Sequence, residues 1–364
     1  MVFTARLSAG VAAKHGGHST MKVLVTGATG LLGGALLPEL QKRGEHVRVL
    51  VLPAEDATRL EAQGIDIVRG DVTDTGSLPA AVRDVELVFH LAGMMGVDRP
   101  LEDYRAVNVT GSENLYRAAR SAGVRRFVHI SSHTVYGLGH GRPHSEQDRL
   151  QPDPDPYSIT KAQGDHRMRQ LMHEGDVETV IVRPGTFFGP NDHLHFGRIA
   201  ARLRAGKGVI IGSGQNALPF CYVTDVVQGL LLAGYHPAAA GNVYNITNDR
   251  PLTQRQLFNA VADSVGGRRP TRRLPYFALY NGALWGERVA RLTRTKPVVT
   301  RLGVLMFGSD TRHSVDKARS ELGYEPRVEL LEGIRLAAEW YNASAPAEAV
   351  RTMPSRPLVE ARKQ

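Results

Sequence analysis

Short apolar runs alternate, along the first half of the chain, with longer stretches of helical periodicity. Met21–Thr26 (MKVLVT) predicts a first strand that meets a glycine turn, and Leu31–Lys42 predicts a helix. His46–Leu52 and Ile65–Arg69 follow as strands, with helices at Ala57–Gln63 and around Ser77–Val82. Val85–Ala92 (VELVFHLA) is apolar nearly throughout, as a parallel strand buried on both faces requires. A helix over Tyr104–Ala122, a strand at Phe127–Ser131, a helix over Tyr157–His173 and a strand at Thr179–Arg183 complete the regular part. This alternation predicts an α/β chain built on a doubly wound parallel sheet.

Beyond Pro184 the pattern loosens. Short strands at Phe220–Val223 and Val243–Ile246 stand among glycine- and proline-rich loops, and residues from Leu252 onward read as mainly helical. Within them Leu274, Phe277, Leu279, Ala283, Leu284 and Leu292 recur at roughly helical spacing. That stretch, with Tyr280 and Trp285, suits core packing, an apolar pocket or contact with a membrane surface. The expected organisation is a sheet domain over residues 21–185, to which a segment of about 220–246 returns, and a smaller, mainly helical lobe over 186–219 and 247–342. Residues 1–20 hold Arg6 and Lys14, no acid and a short, broken apolar stretch, and are expected to be a disordered extension or an overlong start. Residues 343–364, rich in Ala, Pro, Ser and charge, are expected to form a disordered tail.

Composition narrows the class. A 364-residue chain with 42% hydrophobic and 22% charged residues is an ordinary globular composition, long enough for one large domain with a lobe. The net charge of +9 suits an anionic ligand or a solvated surface. No basic run is interleaved with aromatics, so no nucleic-acid partner is expected. Cys221 is the single cysteine and sits in an apolar stretch, which excludes an internal disulfide and suits a small buried residue. No apolar run approaches the roughly 18 residues of a membrane span, so stable membrane insertion is not expected and the cytoplasm is the expected compartment.

Candidate chemistry starts at the end of the first strand, Thr26-Gly27-Ala28-Thr29-Gly30-Leu31-Leu32-Gly33. A tight turn, close backbone approach to a pyrophosphate and packing of helix onto strand each require a residue without Cβ, and the helix N-terminus faces the phosphates. Placed between a strand and a helix at the head of an alternating domain, the three glycines specify a dinucleotide site of Rossmann type. Asp71 and Val72 follow the third strand, where a carboxylate can accept from an adenine amino group; Leu91, Ala92 and Gly93 end the fourth and leave room for ribose and nicotinamide. The second strand ends in Leu52-Pro53-Ala54-Glu55-Asp56, with no arginine for a 2′-phosphate and its acids a few residues late, so the cofactor is NAD or NADP with a lean to NAD.

Tyr157 and Lys161 lie four residues apart, hence on one helix face. By chance a chain of this composition holds such a pair about one time in four, so location decides. Tyr157 opens the helix after the fifth strand, and that strand ends in Ser131-Ser132-His133-Thr134-Val135-Tyr136-Gly137. An ammonium beside a phenol favours the phenolate, and a serine at the carboxyl edge can bond the oxygen that Tyr157 protonates.

With these motifs in place, residues 21 to 341 resemble the extended short-chain dehydrogenase/reductase family, also called the epimerase/dehydratase family. The resemblance rests on TGATGLLG, VFHLAG, NVTGSENL, ISSHTVYG with YSITK, and RPGTFFGP. It implies Ser132, Tyr157 and Lys161 as the catalytic trio, Asn108 as a supporting residue (a cap or turn role stands equally open), Pro184 beside the cofactor, and a homodimer through the helices at 104–122 and 157–173. Candidate substrate-facing residues are His133, Thr134, Tyr136 and Thr186. Relatives acting on nucleotide sugars usually carry an asparagine where Thr186 stands and an arginine where Leu218-Pro219-Phe220 stands, although Arg198, Arg268 or Arg269 are available to replace the latter. RPGTFFGP and the run Asp316–Pro326 are more similar to the 3β-hydroxysteroid dehydrogenase-like branch. The expected function is hydride transfer between a nicotinamide cofactor and a secondary alcohol or ketone of a small molecule that is sterol-like, a 3-oxo acid or polyketide-like. The alternatives are a nucleotide-sugar epimerase or dehydratase that retains its cofactor, and a dinucleotide sensor without turnover. His140, His144, His193 and His195 lack a carboxylate or cysteine framework and are read as loop histidines, so no metal site is expected.

Overall fold

The computed structural model describes residues 20–344 except 97, 98, 140, 294, 296 and 298. Nearly all of the expected N-terminal extension, most of the expected tail and His140 lie outside the described residues. Helix Leu330–Ser344 runs into the span expected as tail.

Seven parallel strands form the central sheet: β1 Lys22–Thr26, β2 His46–Val51, β3 Asp66–Arg69, β4 Leu87–His90, β5 Arg126–Ile130, β6 Glu178–Pro184 and β7 Asn242–Ile246. Their order is β3-β2-β1-β4-β5-β6-β7, with Val25 facing Val49 on one side and Phe89 on the other. The winding reverses between β1 and β4, and the carboxyl ends of the strands at such a reversal are where open α/β sheets bind ligands. This is the doubly wound α/β architecture that the alternation predicts.

Period-two alternation divides the strand residues between two cores. Val23, Val25 and Phe89 pack with Leu36 and Leu40 of helix Leu31–Lys42 and Leu230 of helix Val223–Tyr235. Leu24, Val88 and Phe127 face the other way, onto Leu115 and Tyr116 of helix Ser112–Ser121 and Met168 and Leu171 of helix Pro156–Glu174. A third cluster, with Phe188, Phe196, Leu257 and Ile334, is the core of the smaller lobe. Strand Phe220–Tyr222 pairs with Thr186–Phe188 in a small sheet of its own, so the chain rejoins the main sheet only through helix Val223–Tyr235 and β7.

The helix expected over Tyr104–Ala122 is not uniform. It begins as Leu101–Arg105, widens into a π-helical turn over Ala106–Gly111 and continues as Ser112–Ser121. The widened turn sets Asn108, 2% exposed, against helix Pro156–Glu174. Gly164 permits that approach: a Cβ there would lie 2.6 Å from the Asn108 carbonyl oxygen. π-turns of this kind occur often at functional sites. Gly164→Ala is expected to wedge the two helices apart, costing about 1–3 kcal/mol and weakening dinucleotide binding. Urea-unfolding midpoints and a cofactor titration of the same variant measure both effects.

Candidate active site

The glycine turn is built as the cofactor reading requires. Gly27 has φ +68°, and a Cβ on it would sit 2.8 Å from the Ala92 nitrogen; one on Gly33 would sit 2.4 Å from the Gly27 carbonyl oxygen. Gly30 is the N-cap of helix Leu31–Lys42 with no side-chain cap and no acid in the first turn, leaving the first-turn donors for an anion. Thr29 and Gly30 are exposed, Leu31 is half-buried, and Leu32 belongs to the core. Asp71 is half-buried and accepts from the Thr73 amide at 2.8 Å, whereas the Val72 side chain is buried in the core beneath Gly111. Leu91 and Ala92 are half-buried, and the Ala92 amide donates to Thr26 Oγ1 at 3.1 Å. Pro184 is buried opposite Ile246.

Glu55 is the residue the sequence reading passed over. The segment Leu52-Pro53-Ala54-Glu55 closes a turn, with the Glu55 amide donating to the Leu52 carbonyl at 3.0 Å. Its carboxylate accepts from Thr29 Oγ1 at 2.7 Å and from the Leu52 amide at 3.3 Å. An acid four residues beyond the strand thus returns to the carboxyl edge of β1 and β2. Proline at the second position of a four-residue turn was the available signal. Arg69, the nearby cation, donates to the carbonyls of Leu52, Pro53 and Glu55.

The catalytic candidates meet at the end of β5. Asp155 caps helix Pro156–Glu174 by accepting from the Ser158 amide at 3.0 Å, and Pro156 starts the helix with φ already set. Tyr157 therefore stands in the first turn and Lys161 one turn on. Ser132 caps the short turn His133–Tyr136, accepts from the Thr134 amide at 3.2 Å and lies 3.0 Å from Thr134 Oγ1. Its hydroxyl acts on the Tyr157 phenol and lowers its pKa. Burial nevertheless pushes the phenol up to about 12, outweighing Ser132. Burial also pushes Lys161 down to about 8, against the charge of Asp165. Lys161 Nζ donates to the Ile130 carbonyl at 2.6 Å. In the ligand-free protein burial dominates the phenol, and Lys161 is not among the groups that act on it.

Asn108 joins the remaining pieces. Its Oδ1 accepts from the Met94 amide at 2.7 Å, and its Nδ2 donates to the Met94 carbonyl and to Thr160 Oγ1 at 3.1 and 3.0 Å. A Cβ on Gly93 would lie 3.2 Å from Asn108 Oδ1 and 3.8 Å from Lys161 Nζ, so glycine keeps the approach to Lys161 open. The turn, the uncapped helix end and this cradle have the features that a dinucleotide requires.

The four substrate-facing candidates divide. His133 Nε2 and Thr186 Oγ1 lie 3.0 Å apart, and burial pushes His133 down to about 3. Thr134 is buried against Ser132. Tyr136 is a correction: its hydroxyl accepts from Arg183 at 2.8 Å and donates to Asn245 Oδ1 at 2.7 Å, and burial pushes it up to about 12, so it serves the framework. His144 is likewise no loop histidine. It is buried, stacked on Tyr136 with ring centroids 5.0 Å apart, and its Nδ1 is 3.0 Å from Asp148. His195 stands at the head of helix Phe196–Arg204, where Asp192 accepts from the amides of Leu194, His195 and Phe196, and His193 is exposed against Trp340. Cys221 is fully buried.

Fold and site together define a nicotinamide-dinucleotide-dependent α/β oxidoreductase. A family model described as the NAD dependent epimerase/dehydratase family matches residues 23–247. The chain belongs to this family, and it is an enzyme of the extended short-chain dehydrogenase/reductase type. It is 31% identical over 330 residues to a 2-alkyl-3-oxoalkanoate reductase of Stenotrophomonas maltophilia (strain K279a), covering 86% of this chain and 98% of that one. It is 30% identical over 328 residues to a 3 beta-hydroxysteroid dehydrogenase/Delta 5-->4-isomerase of Mycobacterium tuberculosis (strain CDC 1551 / Oshkosh), covering 84% and 86%. Among solved structures it resembles the UDP-glucose 4-epimerase of Thermus thermophilus in complex with NAD, with a TM-score of 0.71, 25% identity and coverage of 89% and 100%.

The lowered Lys161 pKa has a thermodynamic consequence. Between about 8 and 10.5 the unfolded chain keeps the lysine proton and the folded one releases it. Stability of the ligand-free protein is therefore expected to rise with pH across that window, by up to about 1.4 kcal/mol per pH unit from this group. Lys161→Met is expected to lack that contribution, so the stability difference between the two proteins, read from urea unfolding, changes with pH; a constant difference would refute the shift.

Proposed function

We propose that the enzyme interconverts a secondary alcohol and a ketone on an apolar or bulky small molecule, with NAD as its preferred cofactor. The observation that carries this reading is the convergence at the carboxyl edge of β5, where Ser132 caps the turn and acts on the Tyr157 phenol and buried Lys161, one helical turn on, donates to the Ile130 carbonyl. When bound, the nicotinamide ring supplies or accepts the hydride. The turn from Gly27 to Gly33 would hold the pyrophosphate, and Lys161 with Gly93 the nicotinamide ribose. In reduction the Tyr157 hydroxyl delivers its proton to the carbonyl oxygen while Ser132 donates a hydrogen bond to the same oxygen. A phenol near 12 is fully protonated at neutral pH and ready to donate. In oxidation it takes up the alcohol proton, and the Lys161 cation and the helix N-terminus favour the phenolate that this requires.

The substrate class follows from what the lobe lacks. Thr186, in the place of the sugar-binding asparagine, is engaged with His133, and Leu218, in the place of the diphosphate arginine, is fully buried. Arg269 is paired with Asp263 at 2.6 Å. The names of the reductase and the hydroxysteroid dehydrogenase support an apolar carbonyl or alcohol, either sterol-like or a 3-oxo acid. The likeness to an epimerase supports a second reading, a nucleotide-sugar epimerase or dehydratase with retained NAD.

Net turnover separates the two. Purified protein is followed by the near-ultraviolet absorbance of reduced nicotinamide against sterols, 3-hydroxy and 3-oxo acids, and nucleotide sugars. Stoichiometric cofactor oxidation or reduction with a non-nucleotide substrate, lowered about 10²–10⁴-fold by Tyr157→Phe, is expected. Consumption of a nucleotide sugar without net cofactor change would favour the epimerase reading instead.

Glu55 supports NAD, since its carboxylate suits a ribose hydroxyl and repels a 2′-phosphate. Glu55→Ser is expected to narrow the ratio of NADP to NAD dissociation constants about tenfold, the scale of one charge-assisted hydrogen bond. An unchanged ratio would remove Glu55 from cofactor choice.

Among the described residues no helix is long and apolar enough to cross a membrane. A cytoplasmic location rests on the sequence reading, and a homodimer through helices Leu101–Ser121 and Pro156–Glu174 rests on the family resemblance; light scattering at monomer mass would exclude the dimer.

A further inference from the structure

Helix Tyr276–Thr293 has two apolar faces. Ala283 is buried, and Tyr276, Leu279 and Tyr280 pack with it onto Ile211 and Val304. The other face carries Phe277, Trp285, Val289 and Leu292, which are 69, 63, 55 and 85% exposed. Steps of eight, four and three residues keep these four within an arc of about 120°. Elsewhere among the described residues the large exposed hydrophobics are Leu52 and Leu331, far apart in sequence.

Charge is as unevenly distributed. Residues 268–301 contain nine Lys or Arg and one acid, Glu287, in a chain whose whole net charge is +9. Glu287 is held by Arg301 and Arg269 by Asp263. Arg288 instead lies over the exposed Trp285 ring, 5.0 Å from its centroid. Large apolar side chains on one face, in a stretch of sequence rich in cations, are the composition of a helix that lies in a lipid interface.

We infer that helix Tyr276–Thr293 docks the enzyme reversibly on an anionic lipid bilayer, with Phe277, Trp285, Val289 and Leu292 entering the headgroup boundary and the flanking cations facing lipid phosphates. A second copy of the chain fits this face less well, because pairing two such helices brings the same cations together. The docked helix is linked to the reaction centre. Arg301, which begins the next helix, donates to Glu287 of this one at 2.8 Å, and its charge acts on Asp155, the cap of the Tyr157 helix. The inference stands on exposure and charge, independently of the substrate reading.

The test is flotation of the full chain with phosphatidylcholine vesicles, with and without phosphatidylglycerol. The bound fraction is expected to rise about tenfold or more with the anionic lipid, to fall in high salt, and to be lost in the Phe277→Ser, Trp285→Ser, Leu292→Ser triple variant. Circular dichroism and retained cofactor binding of the variant serve as the folding control. In a Trp340→Phe background Trp285 is the only tryptophan, and its emission is expected to shift to the blue on anionic vesicles. Lipid-independent binding, no binding, or unshifted emission overturns the inference. So does a dimer dissolved by Trp285→Ser without vesicle binding, which would give the face to a second copy. None of these readouts requires turnover.

Discussion

Arg183 and Asp165 form an ion pair with no solvent exposure on either side chain, and the reaction centre is organised around it. The contact is bidentate, with Nε and Nη2 of Arg183 donating to the two carboxylate oxygens at 2.8 and 2.6 Å. Removing two charges from water costs several kcal/mol per ion, so such a pair is poor evidence for stability as such. Its effect here is directional. Asp165 lies one turn beyond Lys161, and Arg183 lies on β6. The remaining Arg183 nitrogen donates to Tyr136, four residues after Ser132, and Tyr136 passes the connection to Asn245 on β7. The backbone amide of Asn245 in turn donates to Glu146 at 2.8 Å. A hydrophobic replacement would fill this volume without setting the angle between the helix of Tyr157 and the strand end of Ser132.

Burial acts on the two titratable members of the trio in the same sense, toward the uncharged form. It raises the phenol to about 12 and lowers the ammonium to about 8. The ligand-free site is thus least favourable to the charged pair that oxidation of an alcohol requires. Lys161 meets this cost by donating to the Ile130 carbonyl at the end of β5. Asn108 works by a similar logic on the other side, since its amide is fully engaged with Met94 and Thr160 and orders the loop after β4. The π-turn gives it that place, and the Asn108 carbonyl is taken up by Ser112 Oγ at 3.0 Å.

Several features were legible in the residues alone. Strand and helix alternation predicts the doubly wound sheet because buried parallel strands must be apolar on both faces. The glycine turn is readable because the lack of a Cβ is required at fixed offsets, and Gly27 and Gly33 show the close contacts that impose it. Tyr157 and Lys161 fall on one face because four residues make about one helical turn. Each is a relation between near neighbours in sequence, for which period and spacing are sufficient.

The tertiary structure decided the partners of polar groups. Arg183 and Asp165 are 18 residues apart on a strand and a helix, Tyr136 and Asn245 are 109 apart, and no period relates them. Tyr136 therefore reads as substrate-facing until its hydroxyl is seen between two partners, and Glu55 reads as too late until the turn at Pro53 brings it back to Thr29. The amphipathic stretch at Tyr276–Thr293 is legible as a helix, but which of its apolar residues meet a core depends on where Ile211 and Val304 are placed against it. Periodicity records how residues along one element face each other. Hydrogen-bond partners and buried faces depend on which distant elements pack together, and that is set only when the chain closes on itself.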